Sequence, residues 1–310
     1  MGKSTIGIIC GGSGSSKFAT AFDKHFRLNN HELGFIVNAS DNFWHFGVYV
    51  CPDVDIITHA LAARLDEAKG WGVKSDTFNF LKTYKQIEGS EDWFNLGDSD
   101  LALSIRRTEL MNYGWNLSQV TDYFRNLFDI RHAIIPATND SVQTFILTTA
   151  GRFHLQEYWV KHQASPRVRS VEYVGLENAE LNSEAIKFLS NKVVILPANP
   201  ITSIMPTLSL RGVRQKLRNS KVLAISPFVG TQVFSGPAAK LMQGLGIECT
   251  SLGVAMLYAD FLKVFLVDMD EDHLVIQKIK DLGIECIKTN IRIKSNADKQ
   301  SIVREIVRNI

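Results

Sequence analysis

Apolar residues along this chain fall into two patterns. Short unbroken runs occur at Ile6-Gly7-Ile8-Ile9-Cys10, Leu33 to Val37, Ala133-Ile134-Ile135-Pro136, Lys192 to Leu196, Lys221 to Ser226 and Val264 to Asp268. Runs of this kind are expected of parallel strands covered on both faces. Elsewhere the period is helical. Ile57, Leu61 and Leu65 share one helix face after Pro52-Asp53-Val54-Asp55, and further helices are predicted at 18–22, 77–87, 100–112 and 118–128. Asp76-Thr77 and Ser118 read as helix N-caps. Residues 143–149 and 152–160 alternate about a turn at Ala150-Gly151, which predicts an antiparallel pair. The tail, 271–310, reads as helix, strand (Ile284 to Ile287), helix.

Strand, glycine-rich turn, helix and strand over residues 6–37 make a βαβ unit. Such units build a doubly wound α/β sheet, mostly parallel, with helices on both faces and ligands at the strand C-termini. No repeat, low-complexity tract or linker interrupts the chain. The expectation is one integrated unit over 1–310, with a core of 1–55 and 131–310 and a helical insert at 56–130.

Composition narrows the function. The chain has 310 residues, 45% of them hydrophobic and 21% charged, enough to bury a full core. A net charge of +2 without a basic stripe argues against nucleic acid and leaves small anionic substrates open. Cys10, Cys51, Cys249 and Cys286 are far apart and form no C-x-x-C, so neither a zinc site nor a disulfide framework is expected. The first residues lack a signal core, Ile6 stands where a myristoylation signal wants Ser or Thr, and no apolar run approaches ~18 residues. A reduced, cytoplasmic protein with no membrane contact is expected.

The chemistry gathers in loops after predicted strands. Gly11-Gly12-Ser13-Gly14-Ser15-Ser16-Lys17 fits a backbone cradle for phosphate at a helix N-terminus, although it matches neither the P-loop nor the dinucleotide pattern. A tight structural turn is the plain alternative. Asn38 to Asp55 packs three carboxylates, two asparagines and several aromatics into one loop. Asp41, Asp53 and Asp55 can serve Mg²⁺, which takes one or two carboxylates plus substrate phosphates; alternatively Asp53 or Asp55 caps the following helix. Phe43, Trp44, Phe46, Tyr49, Trp71, Trp93 and Trp159 offer stacking surfaces, though most such residues are core. Asn95 to Asp100, Pro197 to Ser203, Ser226 to Gly230 and Ser235 to Lys240 complete the polar loops, and Lys240 is placed to reach a phosphate.

Taken in order, G-G-S-G-S-S-K-F, N-A-S-D-N-F-W-H-F-G, C-P-D-V-D, G-W-G-V-K-S-D-T-F-N-F, N-L-G-D-S-D, R-T-E-L, H-L-Q-E-Y-W-V, P-A-N-P-I-T-S-I, A-I-S-P-F-V-G and S-G-P-A-A-K-L-M make the chain resemble the 2-phospho-L-lactate transferase family of coenzyme F-420 biosynthesis. The resemblance covers essentially the whole length. It implies a Rossmann-like fold and a homodimer. It also implies a Mg²⁺-dependent transfer of a phospholactyl or phosphoenolpyruvyl group from a guanosine diphosphate-linked donor to the ribityl hydroxyl of the deazaflavin Fo, with GMP released. On this resemblance Asp41 and Asp55 are the catalytic and metal-binding candidates. Gly11, Gly12, Gly14 and Lys17 match the phosphate side. Asn199, Thr202, Ser203 and Lys240 match the nucleotide side. Asn38, Asn95 and Asp55 complete the substrate contacts.

The chain departs from the family pattern inside these motifs. Asn42 and Asn139 stand where acids are usual, Ser99 and Asn95 where basic residues are usual, Ala198 where a serine is usual, and Met256 where a glutamate is usual. A carboxylate-to-amide change keeps the shape and removes the charge available to a cation. Two other readings follow: a nucleotide-sugar-binding regulatory protein of the same superfamily, and a divergent paralogue with an altered donor or lost activity.

Overall fold

The structure, a computed structural model, describes residues 5–27, 31–88, 93–230, 232–233 and 236–310. In chain order the strands are β1 Thr5–Cys10, β2 Glu32–Val37, β3 Phe43–His45, β4 Val48–Val50, β5 Ala133–Pro136, β6 Gln143–Thr148, β7 Gly151–His154, β8 Val168–Val174, β9 Lys192–Ile195, β10 Lys221–Ile225, β11 Phe228–Val229, β12 Gln232–Val233, β13 Val264–Asp268 and β14 Glu285–Thr289. The helices that matter most here are α1 Ser13–Phe26, α2 Pro52–Leu61, α3 Asn79–Glu88, α4 Asp98–Asn112 and α5 Leu117–Leu127.

Seven strands form one parallel sheet in the order β14-β13-β10-β9-β1-β2-β5. The apolar runs of the sequence are these strands, and their period of two separates two cores. Ile9, Ile36, Val193 and Ile195 point into one; Ile8, Leu33, Val37 and Val194 point into the other. The chain moves outward from β1 in one direction through β2 and β5, then in the other through β9, β10, β13 and β14. This is the Rossmann order, and its switch point lies between β1 and β9, where a crevice opens at the strand C-termini.

The helical block expected at 56–130 divides in two. Val54, Ile57 and Leu61 of α2, with Leu117 of α5 and Ile130, belong to the same core as β1 and β2. These helices cover the sheet. The segment from α3 through the start of α4 stands further out, on a small cluster of Phe43, Val48, Val50, Leu96 and Leu101.

Helix starts differ from expectation by a few residues, for a local reason. Asp98 accepts the N–H groups of Asn79 and Phe80, while Asp76 accepts the N–H of Ser99, so the first turns of α3 and α4 cap each other. For α5 the cap is Asn116, in a reciprocal box with Gln119; Ser118 is already inside the helix. The 152–160 segment makes only the short β7 before a π-helix at Glu157–Lys161. The other antiparallel partner of β6 is β8, and β3 and β4 form a hairpin inside the aromatic loop.

Candidate functional site

Three loops meet at the switch point. Gly11 and Gly12 follow β1, Asn38 to Asn42 follow β2, and Pro197 to Ser203 follow β9. A Cβ on Gly11 would lie 2.7 Å from the Cβ of Ser203, so glycine is what lets the first and third loops touch. Ser15 ties the same pair: its hydroxyl accepts the Gly11 N–H at 3.2 Å and donates to the Pro197 carbonyl at 3.0 Å. Ser40 joins the second loop to the third through the Thr202 carbonyl, at 3.4 Å, and accepts a hydrogen bond from Thr144 of β6 at 3.0 Å. Asn199 holds its own loop by accepting the N–H groups of Ile201 and Thr202.

Asp53, in the first turn of α2, stands where these loops converge. The Asn38 amide donates to it at 3.0 Å, and the Gly12 N–H and Ser203 hydroxyl also donate to it. A Cβ on Gly12 would come within 2.4 Å of its Oδ1. The same Asn38 amide donates to Asp41 at 3.3 Å, and Gln156 donates to the other Asp41 oxygen at 3.0 Å. Both carboxylates are buried. Burial pushes the Asp53 carboxyl up to about 6, partly offset by its three donors. Burial and the charge of Asp53 raise Asp41 well above the carboxylate range. Two buried acids sharing one amide donor are short of positive charge, which is the electrostatic condition a cation relieves. Among the described residues no group of three or more His, Cys, Asp or Glu is placed to hold a metal. An ion such as Mg²⁺ held by the pair would have to complete its shell with substrate phosphate and water.

The other sequence candidates are distributed around this centre. Asp55 turns away from Asp53 and ion-pairs with the buried Arg107 of α4, whose guanidinium also donates to the Tyr49 carbonyl at 3.0 Å. Burial raises the Asp55 carboxyl against the pull of Arg107, and its charge adds to the rise at Asp41. Of the two carboxylates expected at a metal, Asp41 shares the Asn38 amide with Asp53, whereas Asp55 is held by Arg107. Gly14 lies in the first turn of α1. Lys17 is one turn further on, exposed, and lines a depression of about 370 Å³ with Thr20, Ala63 and Lys74. Asn95 opens onto a different depression, about 390 Å³, walled by Trp71, Phe78 and three lysines. Lys240 donates to the Ala164 carbonyl at 2.8 Å instead of facing the glycine loop. Ser235 lies outside the described residues.

Two departures from the family pattern sit at helix starts. The Ser99 N–H is capped by Asp76, and the Asn139 carbonyl accepts both the N–H and the hydroxyl of Ser118 at 2.8 Å. Met256 is exposed on a distal helix. Asn42 alone, of the changed acids, adjoins the carboxylate pair.

An aromatic wall adjoins Asn42. Phe43 lies 5.0 Å from Phe94, 6.0 Å from Trp93 and 5.3 Å from His154, centroid to centroid. Burial lowers His154 to about 4 and also lowers His45, so both rings are neutral at pH 7. Ser15, Arg107 and Gln156 lie inside motifs that carry the family resemblance, but nothing in the sequence gives them a role, and Thr144 lies in no motif. Only the tertiary fold brings the four to the site.

Comparison with known proteins places these features in a family. The family model described as 2-phospho-L-lactate transferase CofD matches residues 6–305. A 2-phospho-L-lactate transferase of Methanosarcina acetivorans is 37% identical over 304 residues, covering 97% of each chain. The corresponding proteins of Methanococcoides burtonii and Methanocaldococcus jannaschii are 35% and 33% identical, again over 97% of each chain. Among solved structures, a UPF0052-family protein from Bacillus halodurans superposes with a TM-score of 0.64 at 15% identity, covering 99% of each chain, a likeness of fold.

Proposed function

The chain belongs to the 2-phospho-L-lactate transferase family, and we propose that it moves a 2-phospholactyl or phosphoenolpyruvyl group from a guanosine diphosphate-linked donor to the ribityl hydroxyl of the deazaflavin Fo, releasing GMP. The family is one of transferases, and membership supports a role in coenzyme F-420 biosynthesis. The observation that carries the finer reading is the convergence of three strand-end loops on the Asp41–Asp53 pair.

In this reading Gly11, Gly12 and the N-terminus of α1 face the donor's phosphates, since open backbone and a positive helix end suit an anion. Asn199, Thr202 and Ser203 edge the nucleotide side. Asp41 and Asp53 would hold Mg²⁺, oriented by Asn38 and Gln156. When bound, the ion supplies charge stabilisation to the phosphoryl oxygens. Asp55, fixed by Arg107, orients the acceptor hydroxyl and takes its proton. The hydroxyl oxygen then bonds to the phosphorus bearing the acid, and the bond from that phosphorus to GMP breaks. The aromatic wall around Phe43 provides faces for the acceptor ring. Asn95, Lys17 and Lys240 stay assigned as outer contacts reached by the bound substrates. A cytoplasmic homodimer without membrane or nucleic-acid partners completes the proposal.

The test is turnover. Given Fo, donor and Mg²⁺, the purified chain should release GMP and shift the chromatographic mobility of Fo, and Asp53→Asn should lower the rate at least ~100-fold, as loss of a group acting in the transition state does. Unchanged Fo in the presence of donor and Mg²⁺ overturns the proposal. So does tight binding of a UDP-sugar without binding of Fo.

A further inference from the structure

Four buried polar atoms that find no hydrogen-bond partner lie together beside the aromatic wall: Nδ2 and Oδ1 of Asn42, Nε2 of His45 and Nε2 of His154. Asn42 is 1% exposed, and its amide adjoins the Tyr49 phenol without closing a hydrogen bond of proper geometry. Buried polar groups are almost always paired in native proteins, so an orphaned cluster calls for a missing partner. Aromatic rings pack around it. His154 lies 5.3 Å from Phe43 and 5.7 Å from Phe145, and His45 lies 5.4 Å from Trp93 and 5.7 Å from Phe94. Unpaired donors and acceptors among aromatic faces describe a site for a planar heterocycle.

The donor and acceptor types identify which edge of a heterocycle fits. His154 accepts the Gln156 N–H at Nδ1, 3.2 Å away, so the neutral ring carries its proton on Nε2, a donor that adjoins the Asn42 backbone without closing a hydrogen bond of proper geometry. The Asn42 amide adds one donor and one acceptor side. Two donors and an acceptor complement an imide, which presents carbonyl, N–H and carbonyl in a row. Guanine presents carbonyl, N–H and amino group, and its amino group would meet the His154 donor.

We infer that Asn42, together with His154, reads the imide edge of the deazaflavin's pyrimidine ring and so fixes which heterocycle is accepted. The inference rests on the transferase reading for the identity of the ring. Asn42 is a specificity-determining residue in this account. An aspartate in its place would present only acceptors and would oppose the imide carbonyls.

The experiment is a fluorescence titration of the full chain with Fo and with Fo methylated on the imide nitrogen. Asn42→Leu keeps the side-chain shape and removes both polar atoms. It should weaken Fo binding 10- to 100-fold, change binding of the methylated ring less than 3-fold, and leave the melting temperature at or above that of the wild type. Unchanged Fo affinity in Asn42→Leu overturns the inference alone, as does equal weakening of both rings, which would show a packing effect. Failure of the wild-type chain to bind Fo overturns the transferase reading and the inference with it. His154→Gln, which retains a donor, should lose less Fo affinity than His154→Leu; equal losses also count against the inference.

Discussion

Asp41 and Asp53 cannot both ionise in their shared pocket without cost, and that cost should be measurable. The sign follows from the raised carboxyls. Between the unfolded value near 3.8 and the folded value of about 6, the folded state holds a proton that the unfolded state has released. Stability from Asp53 is therefore full below about pH 4, is lost as pH rises through about 6, and stays lost at neutral pH. In metal-free buffer, Asp53→Asn should melt higher than wild type at pH 7.5, and the two should converge toward pH 4.5. On the order of 2–3 kcal/mol is at stake at about 1.4 kcal/mol per pKa unit. A variant that melts lower than wild type at pH 7.5 would refute the burial penalty on the Asp53 charge. Adding Mg²⁺ at pH 7.5 should raise the wild-type melting temperature and leave Asp53→Asn unmoved, because a ligand stabilises only the state that binds it. An equal response in both proteins would remove the pair as the metal site.

The helical elements gain precision from caps that straddle the loop between them. Asp76 and Asp98 exchange bonds across the first turns of α3 and α4, and Gly97 leaves room for it: a Cβ there would lie 2.1 Å from Asp76 Oδ2. Gly97→Ala should expel that carboxylate, costing roughly 1–2 kcal/mol, the range for loss of a cap. Amide exchange at Ser99 and Leu101 should quicken while β1 and β9 keep their protection. Unaltered exchange in α4 would show the cap to be dispensable. These elements also show what was legible beforehand. The buried strands were plain from their runs, and the glycine and asparagine loops at their ends were plain as ligand-side segments. The β3–β4 hairpin was not, because its short strands are held by contacts to α4, including the Tyr49 N–H bond to Thr108 at 2.8 Å. Which of Asp53 and Asp55 stands beside Asp41 was equally closed to the sequence. Two residues apart in one helical turn, they face opposite neighbours, and the deciding partner of Asp55 is Arg107, 52 positions away.

At the scale of the whole molecule, the sheet supplies the crevice and the outer helical segment is fastened to it by polar groups. Arg107 is the main fastener. It is buried, pairs with Asp55 on α2, donates to the Tyr49 carbonyl on β4 and lies 5.9 Å from the Phe124 ring on α5. One turn along, His59 of α2 meets Asp100 of α4 at 3.0 Å. Arg107 thus ties α4 to α2, beside the carboxylate pair, and to the β3–β4 hairpin. Removing one partner of a buried ion pair leaves the other uncompensated, which typically costs about 3–5 kcal/mol, whereas replacing both by uncharged groups is often neutral. Arg107→Met should therefore be strongly destabilised in urea, and Arg107→Met/Asp55→Asn should recover most of the loss. Recovered stability should come without recovered turnover, because the double variant lacks the carboxylate assigned to the acceptor hydroxyl. If the double variant is no more stable than Arg107→Met, the ion pair is not what joins α4 to α2. If it turns over at the wild-type rate, Asp55 has no part in the chemistry and the proton passes to Asp41 or Asp53.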